Sequence, residues 1–171
     1  MENSSVEKNS ETQKYLPLGI SGLGGWLVLV QIGLYATLLL LFVQFFNTTI
    51  PAFSPDIWGV LTDKQSAVYD PLWAPALVYE ALYNVLMFAF CIYCLINLYS
   101  KKTIFPRLMI IGYSSGLIFG IIDYVLITQI PLANELEDGS LMRSILRAAL
   151  SCAIWIPYLL KSERVHNTFV R

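Results

Sequence analysis

FPRLMIIGYSSGLIFGIIDYVLITQI, residues 105–130, carries one charged side chain beyond Arg107, and that side chain is Asp123. At about 1.5 Å per helical residue the stretch can cross a hydrocarbon layer about 30 Å thick. It therefore predicts a membrane span with an acid inside it, and the fold follows from asking how many such stretches the chain holds.

There are three others, at residues 25–46, 72–99 and 141–160. The composition agrees, because 171 residues with 56% hydrophobic and only 13% charged side chains are too apolar for a soluble domain of this size. The predicted fold class is an all-α integral membrane protein, an antiparallel four-transmembrane-helix bundle. The expected divisions are a cytoplasmic tail with a glycine-rich lead-in (residues 1–24), the transmembrane domain (25–160, with an outer loop at 47–71) and a basic cytoplasmic tail (161–171). The first apolar stretch starts too late and runs too long for an ordinary cleaved signal peptide. Residues Met1 to Lys14 are polar and lack apolar spacing, which predicts disorder.

Orientation follows from Lys and Arg, which are retained on the cytoplasmic side of span ends. Lys8 and Lys14 precede the first span, Lys101, Lys102 and Arg107 sit between the second and third, and Lys161, Arg164 and Arg171 follow the fourth. Only Lys64, Arg143 and Arg147 fall on the other side. Both termini are thus expected in the cytoplasm, with Asn47 to Trp73 and the acidic Ala133 to Gly139 outside. Within the outer loop, Ser54-Pro55-Asp56 is a helix-start pattern before Ile57 and Trp58, which predicts a short interfacial helix.

Asp123 lies roughly 10 Å below the outer end of its span. Glu80 in the second span, Arg143 and Arg147 opening the fourth, and Gln44 near the end of the first sit at similar depth, and Asn84 lies one turn below Glu80. A lone charge at the bilayer centre costs about 2.5–3.5 kcal/mol on the lenient insertion scale. Two acids and two bases at one level therefore predict a buried polar cluster in which Asp123 pairs with Arg147, whose planar fork suits a carboxylate. Such a cluster reads two ways: a staple fixing helix register, or an ion, proton or headgroup site, with Arg143 offering a cation to a lipid phosphate. Gly112, Gly116 and Gly120 recur every four residues and predict close packing, with Ser144, Ala148, Ser151 and Cys152 of the fourth span as the matching stripe.

Other chemistry is sparse. Cys91-Ile92-Tyr93-Cys94 is a C-x-x-C pattern, but it falls in the inner half of a span, where buried apolar thiols are the expected reading. His166 is the only histidine, so neither a histidine-rich metal site nor a Ser-His-Asp arrangement can be assembled from one chain. No enzyme activity, metal or cofactor is expected, and no basic patch suits nucleic acid. The expected partners are the lipid bilayer and phospholipid headgroups; a protein partner or homo-oligomer is left open. A non-enzymatic accessory or scaffold protein is the leading expectation. A small transporter, channel or lipid-binding unit using the cluster is the alternative, and a membrane thiol-redox protein is a weaker one.

Four motifs carry a resemblance: GGWLVL (Gly24 to Leu29), YEALYN (Tyr79 to Asn84), KKTIFPRL (Lys101 to Leu108) and WIPYLLKSERVHNTFVR (Trp155 to Arg171). Together they resemble the bacterial inner-membrane family catalogued as domain of unknown function 2569, in order, from about Gly22 onward. Glu163 stands where that pattern more often has a basic residue. The resemblance implies a four-span protein of the bacterial cytoplasmic membrane and supplies no activity. It marks Glu80 and the C-terminal tail as positions of interest.

Overall fold

Proline and serine mark the starts of several helices of this chain. The computed structural model describes residues 21–170. Residues 1–20, with Lys8, Lys14 and the tail expected there, and Arg171 lie outside the described residues. Helix α1, Trp26–Gln44, runs on through a π turn at Phe45–Thr49 into the short α2, Ile50–Ala52. Pro51 explains the π turn, since its ring would clash with the carbonyl four residues back and it has no N–H to donate. A wider turn just before it relieves both problems. The first helix is thus longer than the apolar run to Phe46 suggested, and Asn47 to Ala52 is helix rather than loop.

Ser54 then starts α3, Pro55–Thr62, its Oγ accepting from the Ile57 N–H at 3.4 Å. Asp70 accepts from the Leu72 N–H at 2.8 Å ahead of α4, Trp73–Tyr99. A tight turn, closed by the Lys102 N–H on the Asn97 carbonyl at 3.1 Å, leads into α5, Phe105–Gln129, with Pro106 in its first turn. A short α6, Pro131–Leu136, replaces part of the expected acidic loop. Glu137 organises the next start: its carboxylate accepts from the Leu141 N–H at 2.8 Å, the Gly139 N–H at 2.7 Å and the Ser140 hydroxyl at 3.0 Å. The Leu141 N–H, foremost among these donors, holds the Glu137 carboxyl below the usual carboxylate range. Helix α7, Ser140–Lys161, continues past Pro157, and Ser162 caps α8, Glu163–Thr168, by accepting from the Val165 N–H at 3.4 Å.

Four helices, Trp26–Ala52, Trp73–Tyr99, Phe105–Gln129 and Ser140–Lys161, are each long and apolar enough to cross a membrane. Their outward faces carry large apolar side chains such as Leu39, Leu40, Leu82, Ile118 and Leu150, as a surface meeting lipid requires. The most extensive packing is between α5 and α7, followed by α1 with α4 and α4 with α5. Buried side chains concentrate at the end that carries Lys101, Lys102 and Lys161, termed the basic end: Leu27, Val30, Leu98, Phe105, Leu108 and Leu159 meet there.

The C-terminal tail closes that end. Phe169 stacks on Phe105 with ring centroids 4.6 Å apart, and Val165 is buried beside it. The Thr168 hydroxyl accepts from the Gly22 N–H at 2.8 Å and donates to the Arg164 carbonyl at 2.6 Å. Gly25, at φ 61°, lies in the left-handed region, and a Cβ there would sit 3.4 Å from the Arg164 guanidinium.

The glycine stripe of α5 does not serve α7 alone. A Cβ on Gly112 would come within 2.9 Å of the Phe90 ring and one on Gly116 within 3.5 Å of the Tyr83 hydroxyl, both on α4. Only Gly120 faces α7, with Ile145 at 3.6 Å. Alanine is the better helix former by roughly 0.5–1 kcal/mol. Gly116→Ala and Gly120→Ala should therefore match or exceed the parent in detergent thermal unfolding. Gly112→Ala should lose about 1 kcal/mol or more, because a ring held between helices must move; equal behaviour of all three would show that Phe90 is free to yield.

Candidate functional site

Helices α4 and α5 bring Glu80 and Asp123 together. Their side chains are within hydrogen-bonding reach of each other across the seam. Asp123 is 9% exposed, Glu80 is half-buried, and one Asp123 oxygen, Oδ1, has no hydrogen-bond partner among the described residues. Two features of the sequence place them: Glu80 lies one turn above the buried Asn84 on α4, and Asp123 lies one turn beyond Gly120, where the stripe of small residues keeps helix neighbours close. Near the acids in sequence, Phe119 of α5 stacks on Tyr79 at 4.8 Å and on Tyr83 at 3.5 Å, so aromatic rings also tie α5 to α4.

The bases expected to neutralise these acids are elsewhere. Among the described residues the one ion pair is Arg143 with Asp138, at 3.2 Å, and both side chains are largely exposed. The Asp138 carboxyl is held below its usual range first by the Ser140 hydroxyl and backbone N–H and then by Arg143. Arg147 is exposed and makes no ion pair with Asp123 or Glu80. The expected Asp123–Arg147 pairing is therefore corrected, for a reason of rotation rather than depth. The inward face of α7 is centred on Leu141, Ala148, Cys152 and Leu159, and at 100° per residue Arg147 points about 120° away from that centre. Gln44 is likewise exposed. Of the expected cluster, Glu80 and Asp123 come together across the α4–α5 seam, Asn84 turns to a space bordered by α1, and Gln44, Arg143 and Arg147 are exposed.

Asn84 opens a feature that sequence reading missed. It is 3% exposed, its Nδ2 has no hydrogen-bond partner among the described residues, and it borders a cavity of about 260 Å³ whose other walls are Phe42, Phe45, Phe46, Val85 and Phe88. The legible signal was the run Phe42, Phe45, Phe46 on one side of α1. What hid it was the need to know which α4 residues face that run.

The thiols sit in a separate place. Cys91 and Cys94 are buried and free, and they border a second cavity of about 230 Å³ together with Met87, Met109, Tyr113 and Trp155. Cys152 directs its thiol at the Tyr113 carbonyl at 3.3 Å, joining α7 to α5. Among the described residues no three His, Cys, Asp or Glu side chains gather closely enough to hold a metal ion.

With no contact between them, Asp123→Asn and Arg147→Gln should have additive effects on thermal stability in detergent, within the roughly 0.3–0.5 kcal/mol expected of independent sites. A double variant that recovers the loss of either single one would restore the ion pair to the site.

No curated protein and no solved structure matches the chain. A family model does match, over residues 20–170 and hence over all four long helices and the docked tail. The chain belongs to the family described as "Protein of unknown function (DUF2569)".

Proposed function

We propose that this protein is a non-enzymatic accessory protein of the bacterial cytoplasmic membrane, in which the Glu80–Asp123 pair takes up and releases a proton and so sets the packing of α4 on α5. The observation that carries this reading is the contact of two carboxyls inside apolar spans with no Lys or Arg within ion-pair distance among the described residues. Two carboxylates sharing a poorly solvated site cannot both ionise without strong mutual repulsion, so such a pair shares a proton. Once that proton leaves, like charges face each other across the α4–α5 seam. The glycine contacts at Gly112 and Gly116 lie on the same seam, so a change there is felt along much of both helices.

A second reading, a small carrier or channel in which the proton exchanges with a cation, is favoured by the half-exposure of Glu80, which gives one member of the pair access from outside the seam. Four spans in an antiparallel bundle with both termini cytoplasmic complete the proposal. Support comes from cross-helix contacts running in opposite sequence directions, Gly120 to Ile145 and Tyr113 to Cys152, and from the basic residues gathered at one end.

Infrared spectroscopy of the full chain in lipid nanodiscs tests the proton. At low pH the parent should show a protonated-carboxyl band that fades as pH rises, with spin labels on α4 and α5 moving apart over the same range. Glu80→Gln should abolish that movement while keeping the fold, since an amide N–H donates to Asp123 without titrating. A parent whose label distance ignores pH would overturn the proposal. Topology has its own check: a reporter fused after Arg171 should be cytoplasmic, and a cysteine introduced at Asp138 should react with an impermeant reagent from outside. Labelling from the opposite side would reverse the orientation.

A further inference from the structure

Helix position fixes how far the two acids lie from each face of the membrane. Glu80 is seven residues from the start of α4, about 10 Å along a helix of 27 residues that is about 40 Å long. Centred on a hydrocarbon core about 30 Å thick, that helix overhangs each side by about 5 Å. Glu80 thus stands about 5 Å inside the edge at the end opposite Lys101, Lys102 and Lys161, termed the far end. Asp123, six residues from the last residue of the 25-residue α5, comes to the same depth. The edge at the basic end is about 25 Å from both. Local thinning and water defects bring solvent to an ionisable group at the shallow depth, and they do not cross the long one.

Packing separates the two routes in the same way. Toward the basic end, Phe119 stacks on Tyr83 at 3.5 Å, and a Cβ on Gly112 would come within 2.9 Å of the Phe90 ring, so α4 and α5 meet closely. The cavity of about 230 Å³ beside Cys91 and Cys94 follows, and beyond it Leu27, Val30, Leu98, Phe105 and Leu159 are each at most 1% exposed. Phe169 of the docked tail stacks on Phe105. Toward the far end, Ala76 and Ile130 are the only buried apolar side chains among the described residues, and Glu80 itself is half-buried.

No cation is paired with the acids to hold their charge fixed. Tyr79 and Tyr83 on α4 and Tyr124 on α5 are the other titratable side chains within one turn of them. Helix α1 has one such side chain, Tyr35, whose hydroxyl meets that of Tyr99 at 2.9 Å near the basic end. Asp70, ahead of α4, accepts from the Leu72 N–H. Asp56 of α3, Glu135 of α6, and Arg143 and Arg147 of α7 are exposed, and none forms an ion pair with either acid.

We infer that the Glu80–Asp123 pair exchanges its proton with the far-end compartment alone, so that the packing of α4 on α5 follows the pH on that side and ignores the pH at the basic end. The inference rests on the proton exchange proposed above. With the basic end in the cytoplasm, it makes the protein a reader of external pH and not a carrier through the bilayer.

The full chain, with a tag after Arg171 and spin labels on α4 and α5, is reconstituted at a dilution that leaves most vesicles with a single copy. Capture by the tag selects vesicles whose docked-tail end faces the bath, and lumen and bath are held by separate impermeant buffers. Raising the lumen pH should move the labels apart. Raising the bath pH should change nothing until a proton ionophore joins the two compartments. Glu80→Gln should stay flat in both arms. The protonated-carboxyl band of the unlabelled chain, read in the same vesicles, gives the same comparison where labels disturb the helices. Movement with bath pH, alone or together with lumen pH, would overturn one-sided access and leave the proton exchange standing. Movement with neither, even after the ionophore, would overturn the proton exchange and this inference with it.

Discussion

Hydrocarbon cannot accept or donate a hydrogen bond, so every polar group placed in it must find its partner within the protein. The constraint explains why four stretches of this chain are helices from end to end, and why Ser115, Thr128 and Ser144 turn their hydroxyls back onto carbonyls of their own helices. It also gives meaning to the few groups that break it. Asp123 Oδ1, Asn84 Nδ2 and Asn97 Oδ1 are the buried side-chain atoms without a hydrogen-bond partner among the described residues. All three belong to α4 or α5.

The acids show how strongly the setting governs chemistry. A carboxylate beside an arginine is a spent pair, balanced and inert, and it would serve only to hold helices in register. A carboxyl beside a carboxyl is not balanced, since its total charge depends on a proton that the surroundings supply. The proposed proton exchange at these two residues thus depends on where an arginine on a third helix points.

Depth was legible in the sequence, and rotation was not. Hydropathy located the four long helices, Ser54-Pro55-Asp56 marked the start of α3, and counting along each span brought Glu80 and Asp123 to one level. Arg147 shared that level yet faced lipid. Its side chain is long enough to reach the interface from an outward position, so the bilayer does not force it inward. Leu150 and Ile154, which extend the same face of α7, carried the correcting signal. The glycine stripe misled in a similar way, because three glycines at a spacing of four mark a face but not its neighbour, and here the face straddles α4 and α7. The π turn was concealed in a Phe-Phe-Asn-Thr-Thr run that reads as the frayed end of a span. Pro51 was visible, but its effect on the turn before it was not.

The docked tail bears on how the protein is made. Thr168 meets Gly22 across 146 positions of sequence, so the contact that closes the basic end joins the segment before the first span to residues translated only after all four long helices. At about 5–20 residues per second, the glycine-rich segment waits on the order of ten seconds after its own synthesis before that partner exists. During the wait Phe105 lacks the ring that covers it and Leu98 and Leu108 form an open seat. A nascent chain in the membrane therefore keeps this apolar seat open until Val165 and Phe169 have been made and docked.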